Sequence, residues 1–356
     1  MEVIVFIVIL AVLVLVHEFG HFLAAKKQGI KVEEFGFGLP PRIFGKKIGE
    51  TLYSLNWIPL GGFVRLYGEE YHELKNKSLS KKAFVNKKPW QKALVIFAGV
   101  VNNFLLGWIL ISFLFTQGVP VPTNKVIVDQ VINGSPAKAA GLRSGDVVKS
   151  LRPDVPGAGK IVLKNTADMV SEAQKFAGKK IILTIERNQK QIEVGVVPRI
   201  NPPSGQGALG IAITSYMERK YPWYQAPFYG LYESWNITKN IVIELSHTVV
   251  QLLTLHKPSA DIAGPIGIAR FTGQAIKFGK NAVLKLVALL SFNLAIVNIL
   301  PFPALDGGRM VFVLYEWLTG KRANENLEKY TNLIGFFILI ALAVVISIHD
   351  VINIYK

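Results

Sequence analysis

The sequence predicts a polytopic α-helical membrane protein: four transmembrane helices, a β-loop after the first and a polar α+β domain inserted after the second. Three observations carry this. Apolar runs at residues 3–25, 93–115, 284–300 and 332–348 are each long enough to cross, or nearly cross, a bilayer core of ~30 Å. Hydrophobic residues make up 51% of the 356-residue chain, high for a soluble protein. Between residues 120 and 200 the pattern changes to short alternating runs punctuated by turn residues, which read as strands.

Composition narrows the chemistry. There are no cysteines, so no disulfide framework exists and any zinc site must use histidine and carboxylate. The formal charge is +16. The lysines crowd beside the hydrophobic runs instead of interleaving with aromatics on a polar module, which favours a lipid bilayer as partner over nucleic acid.

The run at 3–25 carries Glu2 as its only early charge and exceeds a typical signal-peptide core, so it reads as a retained span. Residues 30–92 form the β-loop: Gly-, Pro- and aromatic-rich to about residue 66, then lysine-rich. With the spans at 3–25 and 93–115 they make an N-terminal membrane part, 1–118. Gly99, Asn102, Asn103 and Gly107 in the second span suit close helix packing and polar contacts. The α+β domain is set at 119–213, where the short run Gly207–Ile213 is either its last strand or a linker. A connector at 214–283 includes an amphipathic helix at 231–256, and the C-terminal membrane part is 284–356.

The loop Lys26–Lys92 holds 14 Lys+Arg against 6 Asp+Glu, which by the positive-inside rule is cytoplasmic. The α+β domain is then extracytoplasmic. If 231–256 lies in the interface, as its composition favours, the third span runs inward and Asp306 reaches the depth of His17 and His21. If it spans, they end on opposite sides.

His17, Glu18 and His21 form an H-E-x-x-H pattern inside the first span. On a helix, positions i and i+4 share a face, so both imidazoles can bind one metal. Zinc lowers the pKa of its bound water toward 7, and the glutamate can act as general base. Polar groups this costly in a bilayer read as functional. A third ligand is needed, and Asp306 fits, at the end of an apolar helix after the helix-breaking Pro301 and Pro303 and before Gly307 and Gly308. Asn298, on the same segment, could bond a substrate backbone or a neighbouring helix. His72, His247, His256 and His349 stand apart from any ligand pattern and read as ordinary surface or interface histidines.

His17-Glu-Phe-Gly-His21 followed by Asn298-Ile-Leu-Pro-Phe-Pro-Ala-Leu-Asp306-Gly-Gly resembles the site-2 protease family of intramembrane zinc metalloproteases, in particular the bacterial regulator-of-sigma-E protease group. Between the motifs, Ser135-Pro-Ala-x-x-Ala-Gly141-Leu-x-x-Gly145-Asp146 resembles a single PDZ signature.

The resemblance implies zinc held by His17, His21 and Asp306, Glu18 as catalytic base, and substrate held by Asn298, Pro301 and Pro303. Gly61-Gly62-Phe63 begins a stretch similar to the family's membrane-associated β-loop, whose edge could pair with substrate; a plain surface hairpin is the other reading. Asn103 lies in a pattern similar to one of the family's, which implies a place beside substrate, although Val100 stands where proline is common and a packing contact is the other reading.

The expected activity is endopeptidase cleavage of transmembrane segments of single-span proteins, anti-sigma-factor-like, or of remnant signal peptides, after prior truncation. This is regulated intramembrane proteolysis at the inner (plasma) membrane, with the PDZ-like domain able to take peptide ends. The alternative is a catalytically idle membrane scaffold presenting a PDZ module. A metal transporter fits less well, because the polar residues form one cluster and no path across the spans.

Overall fold

The structure is a computed structural model that describes residues 2–69, 77–254 and 263–354. Along the chain run α1 (Glu2–Lys27), β1 (Val32–Ile48), β2 (Thr51–Leu66), α2 (Pro89–Gln117), β3 (Val119–Val131), α3 (Pro136–Ala139), β4 (Val147–Pro153), β5 (Ile161–Val162) and α4 (Thr166–Lys175). Then come β6 (Ile181–Arg187), β7 (Lys190–Val196), β8 (Ile211–Arg219), α5 (Ala226–Leu253), α6 (Pro265–Phe278), α7 (Lys280–Ile299), α8 (Asp306–Thr319) and α9 (Glu325–Ile354). Two compact units result: Met1–Thr116 with Pro222–Lys356, and Gln117–Tyr221.

In the first unit, four helices among the described residues are long and apolar enough to cross a membrane: α1, α2, α7 and α9. Helix α2 starts with Pro89 in its first turn, where a missing N–H costs nothing, and Gln91 Oε1 accepts the Lys88 N–H at 3.1 Å as a capping contact. It crosses α1 closely because Gly20 has no side chain: a Cβ there would lie 2.3 Å from the Ala98 carbonyl oxygen. Gly107 likewise makes room for the Phe292 ring of α7.

Strands β1 and β2 pair antiparallel and fold back, so that Gly36 faces Phe63 on one side and Ser54 on the other. This β-loop docks on the end of α1 through a buried cluster of Phe22, Ala25, Ile30, Val32, Leu66 and Val95. Farther along, Ile43, Phe44, Ile48 and Trp57 remain exposed, an apolar surface suited to lipid.

Helix α5 is not among the four, and its start packs on α2, where Trp108 Nε1 donates to the Pro227 carbonyl at 2.9 Å. The amphipathic helix was expected at 231–256; the described helix begins five residues earlier, and residues 255 and 256 lie outside the described residues.

Two helices depart from the sequence expectation. Helix α6 occupies part of the expected connector and buries Thr272, Gly273 and Ala275. Helix α8 follows the expected turn at Asp306, although its Gly-Gly start has poor helix propensity. The outer spans also run longer than 284–300 and 332–348, since polar ends such as Lys280, Glu325 and Asp350 continue the helices beyond their apolar centres.

The second unit is a sheet in the order β7-β6-β4-β3-β8, with β5 on β4. Its core includes Val126, Val128, Leu151, Ile181, Leu183 and Ile185, all fully buried on alternating strand positions, with Met169 of α4 over them. Ser135 caps α3 by accepting the Lys138 N–H, and Asn165 caps α4 by accepting the Asp168 N–H. Asn188 and Gln189 both have positive φ, as a two-residue hairpin turn of the primed type needs. The unit extends past the expected boundary at residue 213, because β8 pairs with β3 from Val131↔Ile211 to Val119↔Arg219.

Candidate active site

His17 and His21 sit one turn apart on α1, with their Nε2 atoms 3.1 Å from each other. Asp306, the first residue of α8, brings Oδ2 to 2.9 Å from His17 Nε2 and 3.2 Å from His21 Nε2. A tetrahedral zinc with bonds of about 2.0–2.1 Å needs ligand atoms about 3.3 Å apart. The three atoms therefore have close to the right spacing. Asp306 Oδ2 is buried with the two imidazole nitrogens beside it, and when both nitrogens carry lone pairs the three atoms are an electron-rich set that a cation between them would satisfy. Two imidazoles and one carboxylate form a common catalytic zinc set with a fourth position left open.

Each ligand is placed by identifiable chemistry. Helix α7 stops at Ile299 because Pro301 and Pro303 cannot continue it. Ala304 turns the chain with φ of 69°, and its N–H donates to Asn332 Oδ1 of α9 at 3.2 Å. Helix α8 then starts hard against the chain it has just left: a Cβ on Gly307 would be 2.1 Å from the Leu300 carbonyl oxygen, and one on Gly308 2.3 Å from that of Phe302. The glycines thus set the position of Asp306, whose carboxylate also gains from the positive end of the helix dipole.

Helix α2 aims the imidazoles. His21 Nδ1–H donates to the Val95 carbonyl at 2.8 Å, which leaves Nε2 as the lone-pair nitrogen facing Asp306. Asn102 Nδ2 donates to the Val16 carbonyl at 3.0 Å and ties the two helices together. Gly99 lies flat against both rings: a Cβ there would be 2.5 Å from His21 Nε2 and 2.7 Å from His17 Cε1.

Glu18 is half-buried and borders a cavity of about 230 Å³. His21, Asp306 and Arg309 share its wall, with Phe63, Val64 and Leu66 from β2. A Cβ on Gly62 would lie 3.6 Å from Glu18 Cγ, and one on Gly61 3.6 Å from Val14. The β2 residues expected near substrate thus run beside the carboxylate.

The other expected substrate residues fare differently. Asn298 is half-buried near the end of α7 and Pro301 is exposed. Pro303 packs on α9 instead, where a Cβ on Gly335 would be 2.4 Å from its own Cβ. Asn103 is wholly buried with its amide on His17, which differs from the expected substrate contact. His72 and His256 lie outside the described residues.

Sequence reasoning missed two ion pairs beside the site. Arg309 pairs with Glu69 across the cavity wall, and the buried Lys92 of α2 holds Glu316 of α8 at 2.7 Å. The one available signal for the second was a lysine at the start of an apolar run.

A helical membrane protein whose helices bring two imidazoles and a carboxylate together, beside a second carboxylate at a cavity, falls in the class of membrane metallohydrolases. The model of Peptidase family M50 matches residues 5–342, and the chain belongs to that family. A Clostridium perfringens relative is 35% identical over 347 residues, covering 96% of this chain and 95% of its own. The zinc metalloprotease RasP of Shouchella clausii is 28% identical over 99% of both chains, and the regulator of sigma-W protease RasP of Bacillus subtilis is 28% identical over 98% of both. This protein is a zinc metalloprotease with multiple membrane-crossing helices.

Proposed function

We propose that this chain is an intramembrane endopeptidase in which His17, His21 and Asp306 would hold the zinc and Glu18 is the general base. The observation that carries the reading is the convergence of the three ligand atoms from helices almost 300 residues apart in sequence, with Glu18 on the adjoining cavity. When bound, zinc supplies Lewis-acid polarisation of a carbonyl and acidifies water. Glu18 accepts the proton of the attacking water and passes it to the leaving amine, so that one peptide bond and one water become a carboxylic acid and an amine. The β2 segment Gly61-Gly62-Phe63 offers a strand edge to an unwound substrate. Unwinding is needed because a helical backbone is satisfied by its own hydrogen bonds.

The substrates are transmembrane segments of single-span proteins or remnant signal peptides, shortened beforehand. The name of the Bacillus subtilis relative, regulator of sigma-W protease, supports anti-sigma-factor-like proteins among them. The basic loop Lys26–Lys92 supports an active site toward the cytoplasm and an extracytoplasmic PDZ-like unit that takes peptide ends.

Glu18→Gln in the purified full-length protein, assayed on a model single-span substrate, tests the reading. Cleavage should fall by about 10²–10⁴-fold with zinc content unchanged. Cleavage at the unaltered rate overturns it.

A further inference from the structure

We infer that Asn103 is a positioning residue that accepts the Nδ1 proton of His17 and so supports the tautomer whose Nε2 is bare toward the metal; this rests on the assignment of His17, His21 and Asp306 as zinc ligands. Both imidazoles present Nε2 to Asp306 and Nδ1 to α2. For His21 the Nδ1 partner is the Val95 carbonyl, an acceptor only, so the proton sits on Nδ1. For His17 the partner is the Asn103 side chain, with Nδ2 3.3 Å from Nδ1. Ligation through Nε2 requires the ring proton on Nδ1, and that proton needs an acceptor.

The acceptor is already there. Asn103 Oδ1 is buried without a partner on the same amide. A half-turn about the last side-chain bond exchanges the two atoms, so that Oδ1 accepts Nδ1–H and the amide nitrogen takes the unpartnered position in its place. An amide is the side chain that can serve either tautomer by turning, because it carries a donor and an acceptor at equivalent positions.

The rest of the residue is held in place. Asn103 is 0% exposed, and its backbone carbonyl accepts a hydrogen bond from Ser291 Oγ of α7 at 2.7 Å. The side chain is therefore shut off from substrate, and its removal should act on the metal and leave substrate affinity alone.

The test uses full-length protein in lipid nanodiscs, with zinc affinity read by competition against a chelator, and KM and kcat read at saturating zinc. Asn103→Leu and Asn103→Ala should bind zinc about 10–100-fold more weakly, in the range that second partners of metal-bound histidines supply. Asn103→Asp keeps an acceptor and should stay close to the wild type. Asn102→Leu, which loses only the tie to Val16, controls for helix packing. Wild-type zinc affinity in Asn103→Leu, or a raised KM at unchanged zinc affinity, overturns the inference.

A second measurement needs no variant. In ¹⁵N-histidine-labelled, zinc-loaded protein, His17 should show a protonated Nδ1 and a metal-bound Nε2; metal on Nδ1 overturns the inference. Undiminished zinc binding in His17→Ala would instead overturn the ligand assignment itself.

Discussion

Replacing Gly99 by alanine adds one methyl group between α2 and the two metal-facing rings. Its Cβ would stand 2.5 Å from His21 Nε2, 2.6 Å from His21 Cε1 and 2.7 Å from His17 Cε1. Comfortable contact needs about 3.5 Å, so both rings, or the whole crossing of α1 and α2, must give by about 0.8–1 Å. The rings have little freedom to do so, because His21 is tied to Val95 on the same helix that carries the new methyl. Metal ligands keep their distances to within about 0.2 Å, and a misplacement of about 1 Å costs a reacting geometry about 10²-fold.

Gly99→Ala should therefore lower zinc affinity and cleavage each by about 10²-fold, close to 3 kcal/mol at about 1.4 kcal/mol per tenfold. Metal content after dialysis against graded chelator and turnover of a single-span substrate measure the two effects. Gly107→Ala is the control. Its Cβ would meet the Phe292 ring at 2.4 Å, an equal intrusion on a side chain that is not a ligand. It should lower thermal stability without a selective loss of zinc. A Gly99→Ala protein that keeps zinc and most of its activity would refute the reasoning that this glycine sets ligand geometry.

Three further outcomes are expected. Lys92→Met leaves the half-buried Glu316 with Arg322 at 3.3 Å as its remaining partner and should destabilise the first unit by about 1–3 kcal/mol, seen as a lower melting temperature in detergent; Lys92→Met with Glu316→Leu should recover most of it. Gly335→Ala pushes on Pro303 and so on the turn before Asp306, and should weaken zinc binding while leaving hydrogen-exchange protection of α1 intact.

In the second unit, burial pushes the Asp146 carboxyl up, but hydrogen bonds from Arg187 and the Arg143 N–H, with their charges, outweigh it and hold the group below its ordinary 3.8. The folded unit then binds fewer protons than the unfolded chain in that range. The stabilisation is complete above about pH 4 and is lost as the pH falls through the lowered value. Hydrogen exchange of the β4 and β6 amides should lose protection there, whereas Asp146→Asn should be less protected at neutral pH and flat across the window.

The apolar centres of the spans and the strand core of the inserted domain were legible because both rest on local periodicity. Continuous apolarity of about 20 residues fits few structures other than a membrane helix, and alternation at Val126–Val128 or Ile181–Ile185 fits a half-buried strand. Helices α6 and α8 were not legible. They are short, and their glycines at 264, 307 and 308 answer to neighbouring carbonyls and side chains distant in sequence. Strand β8 was cut short for a similar reason: its later residues Tyr216–Arg219 are exposed, with little alternation to mark them, and are held by pairing with β3.

The sequence by itself determined the ligand types and their order: an i, i+4 pair of histidines fixed on one helix face, a glutamate between them, and an aspartate at the break after two prolines. These follow from local geometry, since 3.6 residues per turn and the missing N–H of proline act within a few residues. Only the tertiary structure decided how the atoms meet. The approach of Asp306 to 2.9 Å from His17, the aim of His21 through Val95, the amide of Asn103 against Nδ1 and the bare Gly99 between the rings all depend on how closely α1, α2 and α8 pack. Packing distance is set by contacts between residues tens to hundreds of positions apart, which no periodicity along the chain encodes.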